Sequence, residues 1–522
     1  MLRTNAMGSE SLAGPRELSI MPASQTPSLQ YNGSVCVKGG LVEKLFKLQE
    51  NGTSVKTEII AGLTTFMTMA YIIALNPNIL AGYGLTDGGM PLWNAVFLAT
   101  CLASGIAMIC MAFLANKPFC LAPGMGLNSF LAVVVGQIAV LTGATYVASF
   151  QAALVIVLAE GVVFVVLTLC NIREMIVGAI PYGVRMGIAP AIGLMLLNIG
   201  LGSNVFIATF NEEGAVENQF FVMKDFFGSL TATHAAETMT TAYPTMVLAV
   251  VTMFVGLFVI ILLAHRGVKG AVIIGMLVAS VIHWVGQALF LGTDPFAGLA
   301  TASWIPAFND MFELTLFKFN FAGFVEMGWF TAITLIITFC MIDMFDTIGT
   351  LVGTAARAGM LDTEGRMPQM KEALLSDSVG TVVGACTGTS TVTTFAESAS
   401  GVEAGGRTGL TALTCGIMFL LCMFIAPLAA VIPAAATSSA LIYVGIVMLS
   451  GLKHIDWEKM EQAAPVALML IAMPISGSIG HAIGIGLITF SVINVFTGNA
   501  KRQYALTYIL AIIFLVKFFL VA

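Results

Sequence analysis

Charge is what this chain has least of. Asp, Glu, Lys and Arg make up 10% of its 522 residues, against about 25% in soluble domains, and that deficit excludes an ordinary water-soluble globule. Paired cysteines are missing too. Nine cysteines are scattered, mostly within apolar runs, without a CxxC pair or a Cys/His cluster. They read as small hydrophobes, and neither a disulfide framework nor a metal site is expected. His265, His283, His454 and His481 lack ligand spacing and read as structural or interfacial. No nucleophile–base pair has the spacing that a membrane-embedded hydrolase or transferase needs, so an enzyme is not expected, and neither is a nucleic-acid partner. The first 45 residues are polar and rich in Ser, Gly and Pro, without the apolar core of a signal peptide. They are expected to be disordered.

What is present is apolar length. The chain is 58% hydrophobic, with a mean hydropathy of +0.95. Runs such as Met246 to Ala264 and Ala271 to Phe290 supply the approximately 20 residues that cross a hydrocarbon core. Read in order, the chain predicts an all-α polytopic membrane protein with fourteen spans and a trailing apolar helix, Tyr504 to Val521. Placing the N-terminus in the cytoplasm puts Lys117, Arg173, Arg266, Lys269, Arg357, Arg366, Lys371, Arg407, Lys453, Lys459, Lys501 and Arg502 on the inner side. The two long loops opposite hold only Lys224 and Lys318, as the positive-inside rule requires.

The chain also repeats itself. AIPYGVRMGIAPAIGLMLLNIGL from Ala179 aligns with VIPAAATSSALIYVGIVMLSGL from Val431, and the segment Ile273 to Val285 aligns with Ile483 to Phe496. These matches set spans five and seven against twelve and fourteen. Seven spans per half is odd, so the halves must have inverted topology. By the same order the third span, interrupted by Pro123, Gly124 and Gly126, falls opposite the tenth.

That tenth span is the compositional anomaly. GTSTVTTFAESASG, Gly388 to Gly401, carries five hydroxyl side chains in its first seven positions, two more just after Glu397, and glycine at both ends. Such polarity survives at membrane depth only against protein or a water-filled cavity, and interrupted segments at corresponding places in two halves point to a transporter's binding site. Glu397 is its chemical centre. In the eighth span Asp343 and Asp346 stand three apart on one helix face, with Thr347 and Thr350 four residues beyond them. Intramembrane carboxylates are functional candidates by default. Their paired oxygens suit adjacent ring and exocyclic N–H donors of a nucleobase, and two acids so close could share a coupling proton. Asn128 offers both a donor and an acceptor, and the glycines beside it, Gly126 included, let a ring approach the backbone. Thr394 and Phe395 in the tenth-span break, and Phe66 and Tyr71 in the first span, complete the candidate substrate contacts. Against these stand plainer readings: helix–helix glue for Asn128, packing for Phe66 and Tyr71, and a bond back to their own helix for Thr393 and Thr394. Glu160 is read as a packing acid satisfied by a Ser or Thr.

Four stretches taken together, GLTTFMTMAYIIALNP from Gly62, APGMGLNSF from Ala122, DMFDTIGTLVG from Asp343 and GTSTVTTFAESASGVEAGGRTGLTAL from Gly388, resemble the AzgA-like purine permeases. That family is related to the nucleobase/ascorbate transporters. The resemblance covers about Lys44 to Asn499. It implies two inverted seven-span repeats, a core domain (46–176 and 327–432), a gate domain (177–292 and 433–498) and proton-coupled import of purine nucleobases such as hypoxanthine, guanine or adenine across the cell membrane. It places substrate contacts on Asn128, Glu397 and an eighth-span acid, with Asp346 favoured over Asp343. The coupling proton falls to Asp343, Asp346 or Glu397, with no other cofactor. It further implies a homodimer through the gate domain. The alternative reading is an anion carrier or channel on a related fold, which would want basic side chains and helix N-termini at its site rather than acids.

Overall fold

Inside a bilayer every backbone N–H and C=O must find its partner within the protein, and the helix does this locally. The computed structural model describes residues 41–82, 86–170, 181–201, 209–210, 216–217, 232, 243–300, 302–360, 367–476, 479–499, 501 and 504–520. The N-terminal extension and most of the acidic loop that precedes Thr241 lie outside these residues.

The first half comprises α1 (Leu41–Phe46), α2 (Val55–Met69), α3 (Tyr71–Leu80), α4 (Gly89–Cys110), β1 (Leu121–Pro123), α5 (Met125–Thr142), α6 (Tyr146–Leu169), α7 (Tyr182–Leu201), β2 (Thr209–Phe210), β3 (Val216–Glu217), α8 (Tyr243–His265) and α9 (Ala271–Gly286). The second comprises α10 (Phe308–Leu314), α11 (Phe321–Glu326), α12 (Trp329–Arg357), α13 (Met370–Thr387), β4 (Val392–Thr394), α14 (Ser398–Glu403), α15 (Gly409–Leu421), α16 (Ala426–Ala430), α17 (Ala434–Met448), α18 (Met460–Ser476), α19 (Ile479–Phe496) and α20 (Ala505–Leu520). Local chemistry sets several of the boundaries. Ser54 and Thr145 accept from Thr57 N and Ala148 N at the starts of α2 and α6, the side-chain N-cap that satisfies an orphan donor. Asn116, at φ 49°, ends the second span in the left-handed region, which Asn tolerates.

Eleven described helices are long and apolar enough to cross a membrane. They fall where spans one to eight, eleven, twelve and fourteen were expected. The expected ninth, α13 with 18 residues, and thirteenth, α18 with 17 residues, lie outside that set, and the tenth is strand plus short helix rather than a continuous rod. The count of fourteen therefore does not follow from helix length alone.

The helices pack in two groups. α2 to α6 associate with α12 to α15, and α7, α8 and α9 associate with α17, α18 and α19. In the second group the aligned repeat segments meet. A Cβ on Gly193 of α7 would lie 2.6 Å from the carbonyl oxygen of Gly445 on α17, and one on Gly445 would lie 2.7 Å from the oxygen of Gly193. Two positions matched by sequence alignment thus touch reciprocally, as residues on a pseudo-two-fold axis do, and bare glycines let the backbones approach. His283 is buried, its Nδ1 3.2 Å from the hydroxyl of Thr252 between α8 and α9, in keeping with a structural role.

The trailing helix docks on its predecessor. Phe514 of α20 fills the space beside Gly484 of α19, and Tyr504 meets Phe490 edge-on with ring centroids 5.1 Å apart. The pairs run in opposite sense, so the two helices are antiparallel.

Candidate functional site

The two interrupted spans solve their backbone problem together. β1 and β4 pair antiparallel in the register Leu121↔Thr394, Ala122↔Thr393, Pro123↔Val392. The ladder continues through Gly124 N to Thr391 O at 3.0 Å and Phe395 N to Cys120 O at 2.9 Å. Extended chain from one break thereby supplies the partners that the other lacks, as non-helical backbone at this depth requires when it is buried in protein. Gly124 is needed at this crossing, because a Cβ there would sit 2.9 Å from Thr393 Oγ1.

The hydroxyls that made the stretch anomalous divide by position. Thr389 accepts from Asn76 Nδ2 at 2.8 Å, Ser390 donates to Asn128 Oδ1, and Thr391 donates to Glu160 Oε2 at 2.6 Å. Thr391 thus supplies a donor to one oxygen of the buried Glu160 carboxylate. Thr393 and Thr394 do not bond back to a helix, because they lie in β4. Their hydroxyl oxygens are buried without a hydrogen-bond partner among the described residues. Asn128 is fully buried. Its Nδ2 donates to Pro123 O of its own break at 3.2 Å, so both ends of its amide are engaged and its oxygen ties the two breaks together.

Glu397 stands at the N-terminal end of α14 and is half-buried beside exposed Ala396. Tyr71, fully buried at the start of α3, donates its hydroxyl to Glu397 Oε1 at 2.8 Å. Ser400 donates to the Glu397 carbonyl at 2.7 Å and lies 3.0 Å from the Thr68 hydroxyl, which pins the half-helix against α2. Asp346, on α12, is also half-buried and lies within electrostatic reach of Glu397 and of Asp377 on α13. Asp343 is fully buried. The Thr347 hydroxyl lies 2.9 Å from Asp343 Oδ1 and 3.1 Å from Asp377 Oδ1, so Asp343 turns into the protein beneath the site. Of the two eighth-span acids, Asp346 is the half-buried one and the one within electrostatic reach of Glu397.

The remaining candidates sit apart from this centre. Phe66 packs edge-on against Phe419 of α15 at 5.7 Å. Phe395 is buried at 5% exposure, its amide used in the strand ladder. Gly126 faces the second helix group, where a Cβ would lie 2.5 Å from Ile192 Cγ2 of α7.

Three residues escaped the sequence reading. Asp377 is fully buried and shares Thr347 with Asp343; an acid in the middle of the ninth span was the signal for it. Tyr443 of α17 is half-exposed and feels the charge of Glu397, bringing an aromatic ring from the second helix group to the site. Glu58, fully buried, accepts from the amides of Arg407 at 2.8 Å and Thr411 at 3.2 Å and from the Thr411 hydroxyl at 2.6 Å. It holds the start of α15, where an anion is favoured by the helix dipole. In sequence it looks like any first-turn acid.

Two half-buried carboxylates, Glu397 and Asp346, thus stand beside the paired broken spans. Known proteins supply the class. A model described as "Permease family" matches residues 56–487. The chain belongs to this family. The adenine permease AdeP of Escherichia coli (strain K12) is 34% identical over 478 residues, covering 92% of this chain and 96% of that one. The guanine/hypoxanthine permease PbuO of Bacillus subtilis (strain 168) is 36% identical over 479 residues, covering 91% and 100%. Among solved structures, the transmembrane domain of the cyanobacterial bicarbonate transporter BicA aligns with a TM-score of 0.56 at 16% identity, over 83% of this chain and 97% of that chain. The murine anion transporter Slc26a9, inward-facing, aligns at 0.55 and 12% identity, over 92% and 75%. At such identities the likeness is one of fold. The permease is a multi-pass membrane protein with the inverted-repeat architecture expected from its sequence.

Proposed function

We propose that this permease imports purine nucleobases together with protons. The observation that carries the reading is the pair of half-buried carboxylates, Glu397 and Asp346, within electrostatic reach of one another near the tenth-span break, in a family whose similar members are named for adenine, guanine and hypoxanthine. A purine presents ring and exocyclic N–H groups along one edge, and each carboxylate oxygen can accept one of them. Glu397, aligned by Tyr71, takes one set and Asp346 another. Asn128 supports from behind by fixing the two breaks to each other, and Thr394, in the same break as Glu397, keeps a buried hydroxyl without a partner among the described residues.

Asp346 lies within electrostatic reach of two other acids, Asp377 and Glu397, which repel it in a medium of low dielectric. Taking up a proton with the purine relieves part of that repulsion, which gives the coupling a physical basis. In this reading α2 to α6 and α12 to α15 form a core that carries the site. The core rocks against a gate made of α7 to α9 and α17 to α19, which also supplies the homodimer contact, in a cell membrane with the N-terminus cytoplasmic. The anion-carrier reading shares the fold but would bring a bare anion against two carboxylates.

Uptake of radiolabelled adenine, guanine and hypoxanthine into cells lacking purine transport tests the proposal. Accumulation of at least one base, abolished by a protonophore and by Glu397→Ala, is expected. Normal accumulation by the Glu397→Ala variant removes the site assignment, and indifference to the protonophore removes the coupling.

A further inference from the structure

Away from the candidate site, a polar cavity of about 230 Å³ opens between α7, α18, α19 and the start of α20. Its wall includes Gln462, Asn494, Asn499, Lys501 and Tyr504, with Glu461 the one acid among the described residues that line it. Arg185 stands beside it on the first turn of α7. Its guanidinium carbon lies 5.8 Å from the ring centroid of Tyr182, and it is electrostatically linked to Tyr182 and Tyr504, both of which line the cavity. Arg185 Nε is buried and has no hydrogen-bond partner among the described residues. A guanidinium donor left unmade in a buried place is costly, and the acceptor that matches its fork is a carboxylate or a phosphate.

A second, apolar cavity of about 250 Å³ lies along the α19–α20 contact, lined by Ile488, Val492, Phe496, Ile512 and Leu515. Both cavities therefore use α19 and the α20 segment as walls. From Tyr508 to Leu515 the groove follows α20 for about 10 Å at the helical rise, which accommodates part of an acyl chain. The polar end and the apolar groove together have the outline of a lipid, a charged head beside a long apolar body. Lys501, Tyr504 and α20 lie beyond the residues matched by the family model, so part of this cavity's wall falls outside that match.

We propose that the polar cavity binds the headgroup phosphate of an anionic bilayer phospholipid, with an acyl chain in the α19–α20 groove. Among the described residues, two cationic side chains against one carboxylate give the place a positive excess, and basic recesses between membrane helices select anionic headgroups. Because α7, α18 and α19 belong to the second helix group, the bound lipid braces that group against the trailing helix. The proposal does not depend on what the permease transports.

Thermal unfolding and native mass spectrometry of the full-length protein in detergent, with phosphatidylglycerol, phosphatidylcholine or inorganic phosphate added, test it. Phosphatidylglycerol is expected to raise the unfolding midpoint and to remain bound, while the other two do neither. Arg185→Gln and Lys501→Gln are each expected to weaken phosphatidylglycerol binding about fivefold, the weight of one basic side chain near an anionic lipid surface, whereas Arg266→Gln, in an exposed turn, leaves it unchanged. Lys501 is exposed, so its variant keeps the test decisive if Arg185→Gln does not fold. Equal stabilisation by phosphatidylcholine, an equal effect of inorganic phosphate, or full phosphatidylglycerol binding by Lys501→Gln overturns the proposal.

Discussion

Tyr71 and Glu397, 326 positions apart, share a hydrogen bond of 2.8 Å that joins the first span to the broken tenth. The bond occupies one oxygen of the carboxylate and fixes the plane of the other, on a side chain that is half-buried rather than sealed. In the proposed reading a ligand N–H meets an acceptor that is already oriented, and less ordering entropy is lost on binding.

Tyr71→Phe keeps the buried ring and deletes the donor. A hydrogen bond to a charged group contributes about 1.5–3 kcal/mol, and part of it is recovered by water at a half-open site. The apparent KM for purine uptake should rise about tenfold, with maximal rate and thermal midpoint nearly unchanged. Concentration-dependent uptake in cells and unfolding of the purified variant measure the two sides. An unchanged KM would show that Tyr71 only fills space.

Asp346→Asn separates binding from coupling. The amide still accepts one hydrogen bond from a base but cannot take up and release a proton at this place. The variant should exchange labelled for unlabelled purine across vesicles while losing protonophore-sensitive accumulation. Loss of both activities would assign Asp346 to binding alone, and retention of both would move the proton elsewhere.

Thr347 offers one hydroxyl proton to two buried acids, Asp343 and Asp377, at 2.9 and 3.1 Å. Thr347→Val removes it while preserving shape, leaving buried carboxylate oxygens short of a donor. The expected loss is about 1–3 kcal/mol, read as a lowered unfolding midpoint in detergent, and Thr347→Ser should restore it. A midpoint equal to that of the wild type would mean that the acids are satisfied without Thr347.

The sequence announced the breaks because their composition is wrong for a bilayer, and it paired them because chain order leaves little choice. It could not say which hydroxyls of the stretch face a ligand. Ser390 and Thr391 are consumed by Asn128 and Glu160, partners supplied by α5 and α6 rather than by local spacing. Asp343 and Asp346 share a helix face by period, yet one turns to Thr347 and the other lies half-buried within electrostatic reach of Glu397, a difference set by where α13 and α14 pack. Glu58 and Tyr443 were invisible for the same reason: an acid in a first turn and a tyrosine in an apolar helix are ordinary until tertiary structure brings them to a helix N-terminus or a carboxylate.

Gly193 and Gly445 were aligned as equivalent positions of a repeat, and in the fold each occupies the space in which the other's Cβ would lie, 2.6 and 2.7 Å from the opposing carbonyl oxygens. Backbone cannot yield as a side chain tip does, so an alanine at either position must push α7 and α17 apart along their whole contact. Each single substitution should therefore lower the unfolding midpoint in detergent. Once the helices have separated for the first methyl group, the second finds the space already opened. The double variant should lose clearly less stability than the two single losses added together, the signature of contacting sites. Strict additivity would mean that the two glycines are accommodated independently, and that the contact is not the axis on which the two halves of the second helix group meet.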